Sequence, residues 1–513
     1  MGQLCYTFSM DHLTSAPART QERITDAYLA VMLFAFPLFP GFEGYVNITL
    51  SKYLFLLAAT GLWLAALLIT ALRTRSIHSA SPGLAQFAAL SFLGVSILSW
   101  LRSPWRAESL IGMGRYDGLL ITLCYVLIFL GVSLFTRPKL LHAGAFAAGI
   151  GLCNIIGVLQ LFGLDFLKFF PADYSYYDMG TLYSGAYLGT IGNTNILDAA
   201  LCTALPLFAG LYICGCRNSP LFLLPLMPGC FVLARAGGSG AVLAFAVCAL
   251  AAAPLLLTDL SRLRRGLRCA ALILASVAVA LAYQPDYVNR VLTARFSLSP
   301  AVIVTGAAAC VLLTLSMLKL RGFFPSKRAL RRAFLALDAS LAVAGLLLVY
   351  FGPWENGTLY ELSRALHGEL SDEFGSSRLL IWRETVALVR ERPLLGGGPG
   401  TLAARLEIEF SRYVPETGAT LTSFVDNAHN IYLGYLVNCG ALGLLSYLAL
   451  LFAAARTAFK TRRAPMTAAL LLGALCAAVH GLFGLGLCLS EPFFWIVLGL
   501  ICSQKEVRSL CMA

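Results

Sequence analysis

Long apolar segments alternate with short polar connections along most of this chain. Fourteen segments stand out, and most approach the length of about 20 residues that an α-helix needs to cross a bilayer. Their bounds are 27–46, 48–72, 82–101, 118–136, 141–163, 191–214, 220–235, 239–257, 269–283, 300–318, 333–352, 429–455, 466–488 and 491–503. The pattern predicts an all-α polytopic membrane protein with about 12–14 transmembrane helices.

Three connections are long enough to carry function, namely 102–117, the tyrosine-rich 164–190 and the much larger 353–428. They divide the chain into five predicted parts. These are an N-terminal tail (1–26), eleven transmembrane helices (27–352), a large extracytoplasmic loop (353–428), the C-terminal transmembrane helices (429–503) and a C-terminal tail (504–513).

The charges are few and unevenly distributed. Hydrophobic residues make up 58% of the chain and charged residues 12%, with a net charge of +12. If the N-terminus is cytoplasmic, the basic surplus falls in the cytoplasmic connections, which hold one clear acid, Asp259. This bias predicts cytoplasmic N- and C-termini and a contact with anionic lipid headgroups. It disfavours nucleic-acid binding.

Common catalytic and metal-binding motifs are missing from the chain. The 15 cysteines lie mostly inside apolar segments, and no CxxC pair occurs, so neither a disulfide framework nor a zinc site is indicated. Without a DxD, Walker or GxSxG motif, the sequence disfavours a nucleotide-sugar transferase, an ATPase and a serine hydrolase. We expect no metal and no cofactor.

The large loop contains an amphipathic stretch at 378–392. Its apolar face is predicted to consist of Leu379, Trp382, Val386 and Val389. Pro393 should end this helix, and the glycines of 396–400 should form a tight turn. Thr401 is then predicted to cap a second helix over 402–413.

His429 lies in a polar cluster with Asp426, Asn427 and Asn430, where the loop meets an apolar segment. Ionisable groups at the mouth of a membrane helix are functional by default. Asp426 either orients the histidine or caps the helix.

A pair of glycines follows this cluster on the same predicted helix. Gly440 comes eleven residues after His429 and returns to nearly the same helix face, which Gly443 also approaches. This spacing predicts a glycine-lined groove that admits a neighbouring helix or a lipid chain.

Other candidates have both a functional and a structural interpretation. Arg378 can clamp a diphosphate or can be a solvated helix residue. Arg235 lies in the glycine-rich hairpin 234–240, where it can snorkel or where backbone N–H groups can meet an anion. Asn193 and Asn195 can be turn and cap residues or can bind a sugar.

Several of these residues occur in a spacing that resembles a known family. His429-Asn430, nine further residues and then Gly440-Ala-Leu-Gly443 resemble the signature of the O-antigen ligase and Wzy-type polymerase superfamily. Arg378, Trp382 and the stretch 393–400 are similar to the family's loop pattern.

The resemblance implies a GT-C-like membrane glycosyltransferase in a bacterial cytoplasmic membrane. Its donor would be a glycan on a polyprenyl diphosphate, and its acceptor a hydroxyl of a glycan, lipid or protein. Arg378 and Arg235 would hold the diphosphate, while His429 would act as base or orient the diphosphate. The substrate site would include Asn193, Asn195, Asn430, Asp426, Gly440 and Gly443.

Two questions stay open in the sequence. Ligase and polymerase share these motifs, so the resemblance implies either. A transporter or flippase of lipid-linked glycans is the alternative from another class, and it would use charges near mid-membrane. Convergence of Arg378, Arg235 and His429 on one pocket would favour the enzyme.

Overall fold

The computed structural model describes residues 16–75, 79–171, 187–288, 291–317, 326–372, 374–414 and 419–503. Helices dominate this part of the chain. In chain order they are α1 (Ala16–Ala30), α2 (Phe36–Leu38), α3 (Ile48–Thr74), α4 (Leu84–Arg102), α5 (Arg106–Ile111), α6 (Leu119–Phe135), α7 (Leu140–Leu161), α8 (Thr194–Cys214), α9 (Leu223–Ala236), α10 (Ser239–Leu256), α11 (Leu260–Ala282), α12 (Pro300–Met317), α13 (Lys327–Phe351), α14 (Gly357–Leu366), α15 (Phe374–Glu391), α16 (Ile431–Thr461), α17 (Pro465–His480) and α18 (Glu491–Cys502).

Ten of these helices are long and apolar enough to cross a membrane: α3, α4, α7 to α13 and α16, with α9 counted together with the preceding 3-10 turn Ser219–Phe222. Three further apolar helices, α6, α17 and α18, are shorter. Each of the fourteen predicted segments overlaps one of these helices or the unit formed by α1 and α2. The prediction of an all-α polytopic membrane protein is therefore confirmed for the described residues.

Helix α8 lies at the centre of the bundle, and nearly all of its residues are buried. Small residues let its neighbour α17 approach closely. A Cβ added to Gly210 of α8 would lie 2.8 Å from the Cα of Ala469, and one added to Gly473 of α17 would lie 2.5 Å from the carbonyl oxygen of Thr203. Close packing of this kind stabilises helix pairs within a membrane, where burial from water contributes little.

The N-terminal helix begins earlier than its apolar pattern indicates. Helix α1 starts at Ala16, inside the predicted tail, and a π-helical turn at Val31–Ala35 joins it to α2. The acidic residues of α1 have a partner at the start of the neighbouring helix α7. Glu22 and Asp26 both pair with Lys139, the residue before α7.

One predicted segment, 466–488, is a helix over only part of its length. Helix α17 ends at His480, and the following residues to 490 form a non-helical segment that is largely buried. Three glycines, Gly481, Gly484 and Gly486, interrupt the apolar run here. This segment matters because it forms one wall of the pocket described below.

The loop 353–428 combines helices with a hairpin. After α14 and α15, a 3-10 turn at Leu402–Ala404 leads to the antiparallel strands β5 and β6, Glu409–Val414 and Ala419–Phe424. The predicted second helix over 402–413 is therefore wrong. The residues alternate between apolar and polar from Leu406 to Phe410, which is the period of a strand. Two further antiparallel pairs precede them in the chain: β1 (Tyr187–Leu188) pairs with β2 (Gly192–Asn193), and β3 (Tyr283–Val288) pairs with β4 (Val291–Phe296).

Helix α15 confirms the predicted amphipathic helix and its end before Pro393, but its buried face is rotated. Ile381 and Thr385 are buried, whereas Val386, which was predicted to lie on the apolar face, is 42% exposed. The buried face is set by the contacts of α15 with the loop's own apolar cluster, to which Ile381 belongs. That cluster includes Leu402, Leu406, Ile408, Val425, Ala428 and Val437.

Helix α16 is broken at Gly440, whose φ of +69° and ψ of −174° lie outside the helical region. The break frees backbone groups, and residues of the loop pair with them. The N–H groups of Gly397 and Gly398 donate to the carbonyls of Val437 and Asn438, at 3.1 and 2.9 Å.

On the far side of the break, the N–H groups of Ala441 and Leu442 donate to the carbonyls of Pro393 and Leu394, at 2.8 and 3.2 Å. The predicted groove for a lipid chain or a neighbouring helix is thus filled by the chain's own backbone at Gly440. A Cβ there would lie 2.2 Å from the Leu394 carbonyl carbon.

We expect Gly440→Ala to destabilise the protein by about 2 kcal/mol or more, because it adds left-handed strain and a backbone clash. Thermal unfolding in detergent measures the change. Gly434→Ala is the matched control, since a Cβ at Gly434 of the same helix meets open space. Equal melting temperatures for the two variants would contradict this account of the break.

Candidate functional site

A small pocket lies where α15, the start of α16 and the end of α17 meet α8. Its lining combines polar residues and glycines with three apolar residues. The lining residues are Asn195, Asp198, Gly238, Gly240, Ala241, Arg378, His429, His480, Phe483, Gly484 and Leu485. The pocket therefore brings together the two principal residues predicted from the sequence, Arg378 and His429.

Arg378 enters the pocket from the first half of α15 and is partly buried. Burial lowers the pKa of its guanidinium, while the nearby carboxylates of Asp198 and Glu361 oppose that shift. A guanidinium remains charged under these conditions. Because neither carboxylate forms a close ion pair with Arg378 in the described structure, its charge is available to an anion in the pocket.

The glycine-rich hairpin between α9 and α10 already binds a carboxyl group of the chain itself. The N–H of Gly238 donates to the Asp198 carboxylate at 2.6 Å. Asp198 is buried, and any Cβ at Gly238 would lie 3.2 Å from its oxygen. The Gly238 N–H, which the sequence suggested could bind a ligand, is thus already hydrogen-bonded to Asp198.

His429 is fixed by its neighbours in the sequence. Its φ of +49° is left-handed, and its N–H donates to the Asn427 side chain at 3.0 Å. Asn430 caps α16 by accepting a hydrogen bond from the N–H of Leu433 at 3.0 Å. The next residue, Ile431, donates to the carbonyl of Gly481 at 2.8 Å, which joins this segment to the end of α17.

Asp426 neither orients His429 nor caps the helix, the two roles considered from the sequence. Its carboxylate accepts a hydrogen bond from Arg115 at 2.6 Å, and both side chains are partly exposed, Asp426 at 26% and Arg115 at 32%. Arg115 belongs to the connection between α5 and α6. The pair therefore joins a second loop to the start of the His429 segment.

The surroundings of His429 favour its uncharged form. Burial lowers the pKa of its imidazole to about 4, with Arg378 and Arg115 adding to the shift and Asp426 opposing it. At neutral pH the ring therefore has one nitrogen free to accept a proton or a hydrogen bond.

Six of the nine predicted site residues do not line the pocket: Arg235, Asn193, Asn430, Asp426, Gly440 and Gly443. Arg235, in the last turn of α9, places its guanidinium over the ring of Tyr283 at 5.9 Å. Asn193 caps α8 by accepting from the N–H of Asn195, at 3.0 Å, which matches its structural interpretation. Asn195 itself lines the pocket.

The two predicted glycines of α16 also lie outside the lining. Gly440 contacts the loop backbone, and a Cβ on Gly443 would meet Cys439 of the same helix and, at 3.8 Å, Val95 of α4. In this structure the two glycines therefore determine the shape of α16, the helix that follows His429.

Three residues at or beside the pocket were not among the site residues predicted from the sequence: Asp198, His480 and Arg115. A signal existed for two of them, because Asp198 and His480 are ionisable residues within apolar segments, which marks a functional group by default. Arg115 had no such signal, since its partner Asp426 is far away in the sequence. Among the described residues, no three His, Cys, Asp or Glu side chains are grouped as metal ligands.

We expect Arg115→Gln to raise the pKa of His429 above about 4, because the substitution removes a nearby cation and leaves the Asp426 carboxylate without its partner. NMR titration of ¹⁵N-labelled histidine measures the midpoint. Arg390→Gln, which removes an exposed cation from the far end of α15, is the control and should leave the midpoint unchanged. A midpoint that stays in place in both variants would refute the electrostatic link.

Comparison with known proteins bears on the loop and on the start of α16. Residues 291–448 match the sequence profile of a family described as O-antigen ligase. The match covers about a third of the chain and contains Arg378 and His429, whereas α8 and α17 lie outside it. No curated protein matches the chain. The family predicted from the spacing around His429 is confirmed: this multi-pass membrane protein carries an O-antigen ligase family domain in residues 291–448.

Proposed function

We propose that the protein transfers a glycan from a polyprenyl-diphosphate donor to a hydroxyl acceptor at the outer face of a bacterial cytoplasmic membrane. The observation that carries this proposal is the meeting of Arg378 and an uncharged His429 in one pocket. A diphosphate needs a cationic partner, and an acceptor hydroxyl needs a group that takes its proton.

The donor binds with its diphosphate against Arg378, whose planar guanidinium suits two phosphate oxygens. The pocket lies at the N-terminal end of α16, so the lipid chain of the donor can remain among the apolar helices. The positive-inside bias of the connections places this end outside the cytoplasm.

In the transfer, the acceptor oxygen forms a bond to the anomeric carbon of the donor sugar. The bond from that carbon to the phosphate oxygen breaks, and the polyprenyl diphosphate leaves with the electron pair. Arg378 stabilises the charge that develops on the leaving group. His429 accepts the proton of the acceptor hydroxyl. No metal and no cofactor take part in this scheme.

The charges around His429 couple its basicity to donor binding. Arg378 lowers the pKa of the imidazole while the pocket is free of anions. A diphosphate bound to Arg378 adds negative charge nearby, which raises the pKa of His429 towards neutrality. The histidine thus becomes an effective base when the donor is in place.

Ligase and polymerase differ in the acceptor, and both fit this pocket. The flippase alternative requires ionisable groups that serve a path through the membrane, whereas Arg378 and His429 lie together at one end of α16. We therefore favour a transferase of either kind.

Purified protein incubated with a defined polyprenyl-diphosphate oligosaccharide tests the proposal. We expect Arg378→Ala and His429→Ala each to lower the transfer rate by about 100-fold or more, because each removes a group that stabilises the transition state. Product size is resolved by gel or mass spectrometry. Arg383→Ala is the control, since this exposed arginine of the same helix pairs with Asp372 and Glu384.

The products also identify the reaction. A ladder of lengthening glycans indicates a polymerase, and a single transfer that depends on an added acceptor indicates a ligase. Wild-type protein that consumes no donor with any acceptor would refute the transferase and favour the flippase, which a lipid-flipping assay in vesicles then tests.

A further inference from the structure

A second cavity adjoins the pocket, and His480 is the residue that the two have in common. The second cavity is lined by residues of α8, α16, α17 and the start of α18. His480 lines both cavities, so its imidazole forms the wall between them. Whatever occupies the inner cavity therefore contacts the same ring that faces the pocket.

The inner cavity contains a buried carboxyl. Glu491, the first residue of α18, is only 4% exposed, and its Oε2 atom has no partner with good hydrogen-bond geometry among the described residues, although the Trp495 indole lies close enough to interact with the carboxyl. The hydroxyl of Ser490, which is 2% exposed, also has none in that part of the chain. Tyr432 and Tyr447 add two further hydroxyl-bearing side chains to the lining.

Such a lining is suited to water. A cavity with several polar partners holds ordered water, whereas an apolar one stays dry. No Lys or Arg lines the inner cavity to pair with Glu491. A carboxyl buried in a membrane bundle without a cation is costly, and such groups mark function by default.

The ring of His480 has little freedom to turn. A Cβ added to Gly484 would lie 2.3 Å from the Cε1 atom of His480 and 2.6 Å from its Nδ1, so this edge of the imidazole lies close against the glycine. The ring is the last side chain of α17, and its own carbonyl accepts a hydrogen bond from Phe483 at 2.8 Å. A partner on the inner side can therefore decide which nitrogen carries the proton, but not where the ring lies.

We propose that Glu491 is a positioning residue that acts on the pocket through His480. A water in the inner cavity donates one hydrogen to the Glu491 carboxyl and the other to one ring nitrogen of His480. Because that nitrogen accepts a hydrogen bond, the proton of the neutral ring is on the other nitrogen, which presents its N–H to the diphosphate in the pocket. The hydrogen bond made by one ring nitrogen sets which nitrogen carries the proton. The inference rests on the proposed function, because it takes the ligand of the pocket to be a diphosphate.

A double-mutant cycle tests the link without requiring turnover. The affinity for a short-chain polyprenyl diphosphate is measured by calorimetry for wild type, Glu491→Gln, His480→Gln and the double variant. We expect Glu491→Gln to weaken binding about fivefold, the size of one ordinary hydrogen bond. We expect the double variant to bind as His480→Gln alone does, because Glu491 acts only through that ring.

Asp26→Asn is the matched control. It also removes a partly buried carboxyl, one that accepts hydrogen bonds from Thr136 and His142 where α1 meets the start of α7, away from the pocket. Its melting temperature should fall while its affinity for the diphosphate stays at the wild-type value. Glu491→Asp keeps the carboxyl and replaces the glutamine variant if the latter does not fold.

A readout without ligand completes the test. In protein with ¹⁵N-labelled histidine, the ring signals of His480, assigned by their loss in His480→Gln, should change tautomer in Glu491→Gln. Any of three results would overturn the link. These are unchanged His480 ring signals in Glu491→Gln, an unchanged affinity of Glu491→Gln for the diphosphate, or a double variant whose loss of affinity is the product of the two single losses. Wild-type protein that does not bind the diphosphate would instead overturn the proposed function, on which the link rests.

Discussion

Within a membrane, every backbone N–H and C=O group must find a partner inside the protein, and the break in α16 is where this requirement shapes the molecule. The break at Gly440 frees groups that a continuous helix would pair. The loop backbone at 393–398 supplies the partners on both sides of the break. Arg405 adds hydrogen bonds to the carbonyl of Val437 and the side chain of Asn438, both at 3.1 Å. The loop is therefore held in one position on the bundle.

The position of the loop determines the position of the site. Helix α15 directly precedes the paired stretch 393–398, and the indole N–H of Trp382 donates to the carbonyl of Ala428 at 2.9 Å. These two constraints hold Arg378 beside His429, although the two residues are 51 positions apart. The signature glycine of the family domain thus contributes to the site through folding, by allowing the loop to pair with α16.

The remaining walls of the pocket come from outside the family domain. Asp198 and Asn195 come from α8, and His480 comes from the end of α17. Asp198 accepts a hydrogen bond from the Gly238 N–H of the hairpin, so a ligand does not meet that N–H. His480 extends the polar lining inward to the cavity that contains Glu491. The electrostatics of the pocket consequently depend on both parts of the chain, because residues 291–448 provide the cation Arg378 and the carboxyl of Glu361, while α8 provides the carboxyl of Asp198.

The sequence by itself determined the membrane class, because the length and apolarity of a segment decide whether it can cross a bilayer. It also singled out Arg378 and His429 as candidates, which the structure places in one pocket, since a charge on an amphipathic helix and a histidine beside an apolar segment are conspicuous in one dimension. Only the tertiary structure decided that Arg235 stacks on Tyr283, that Asp426 pairs with Arg115, and that Gly440 breaks a helix. The hairpin over 409–424 replaced a predicted helix although its alternation was readable. Partners that are distant in the chain are chosen by packing, which local pattern does not encode.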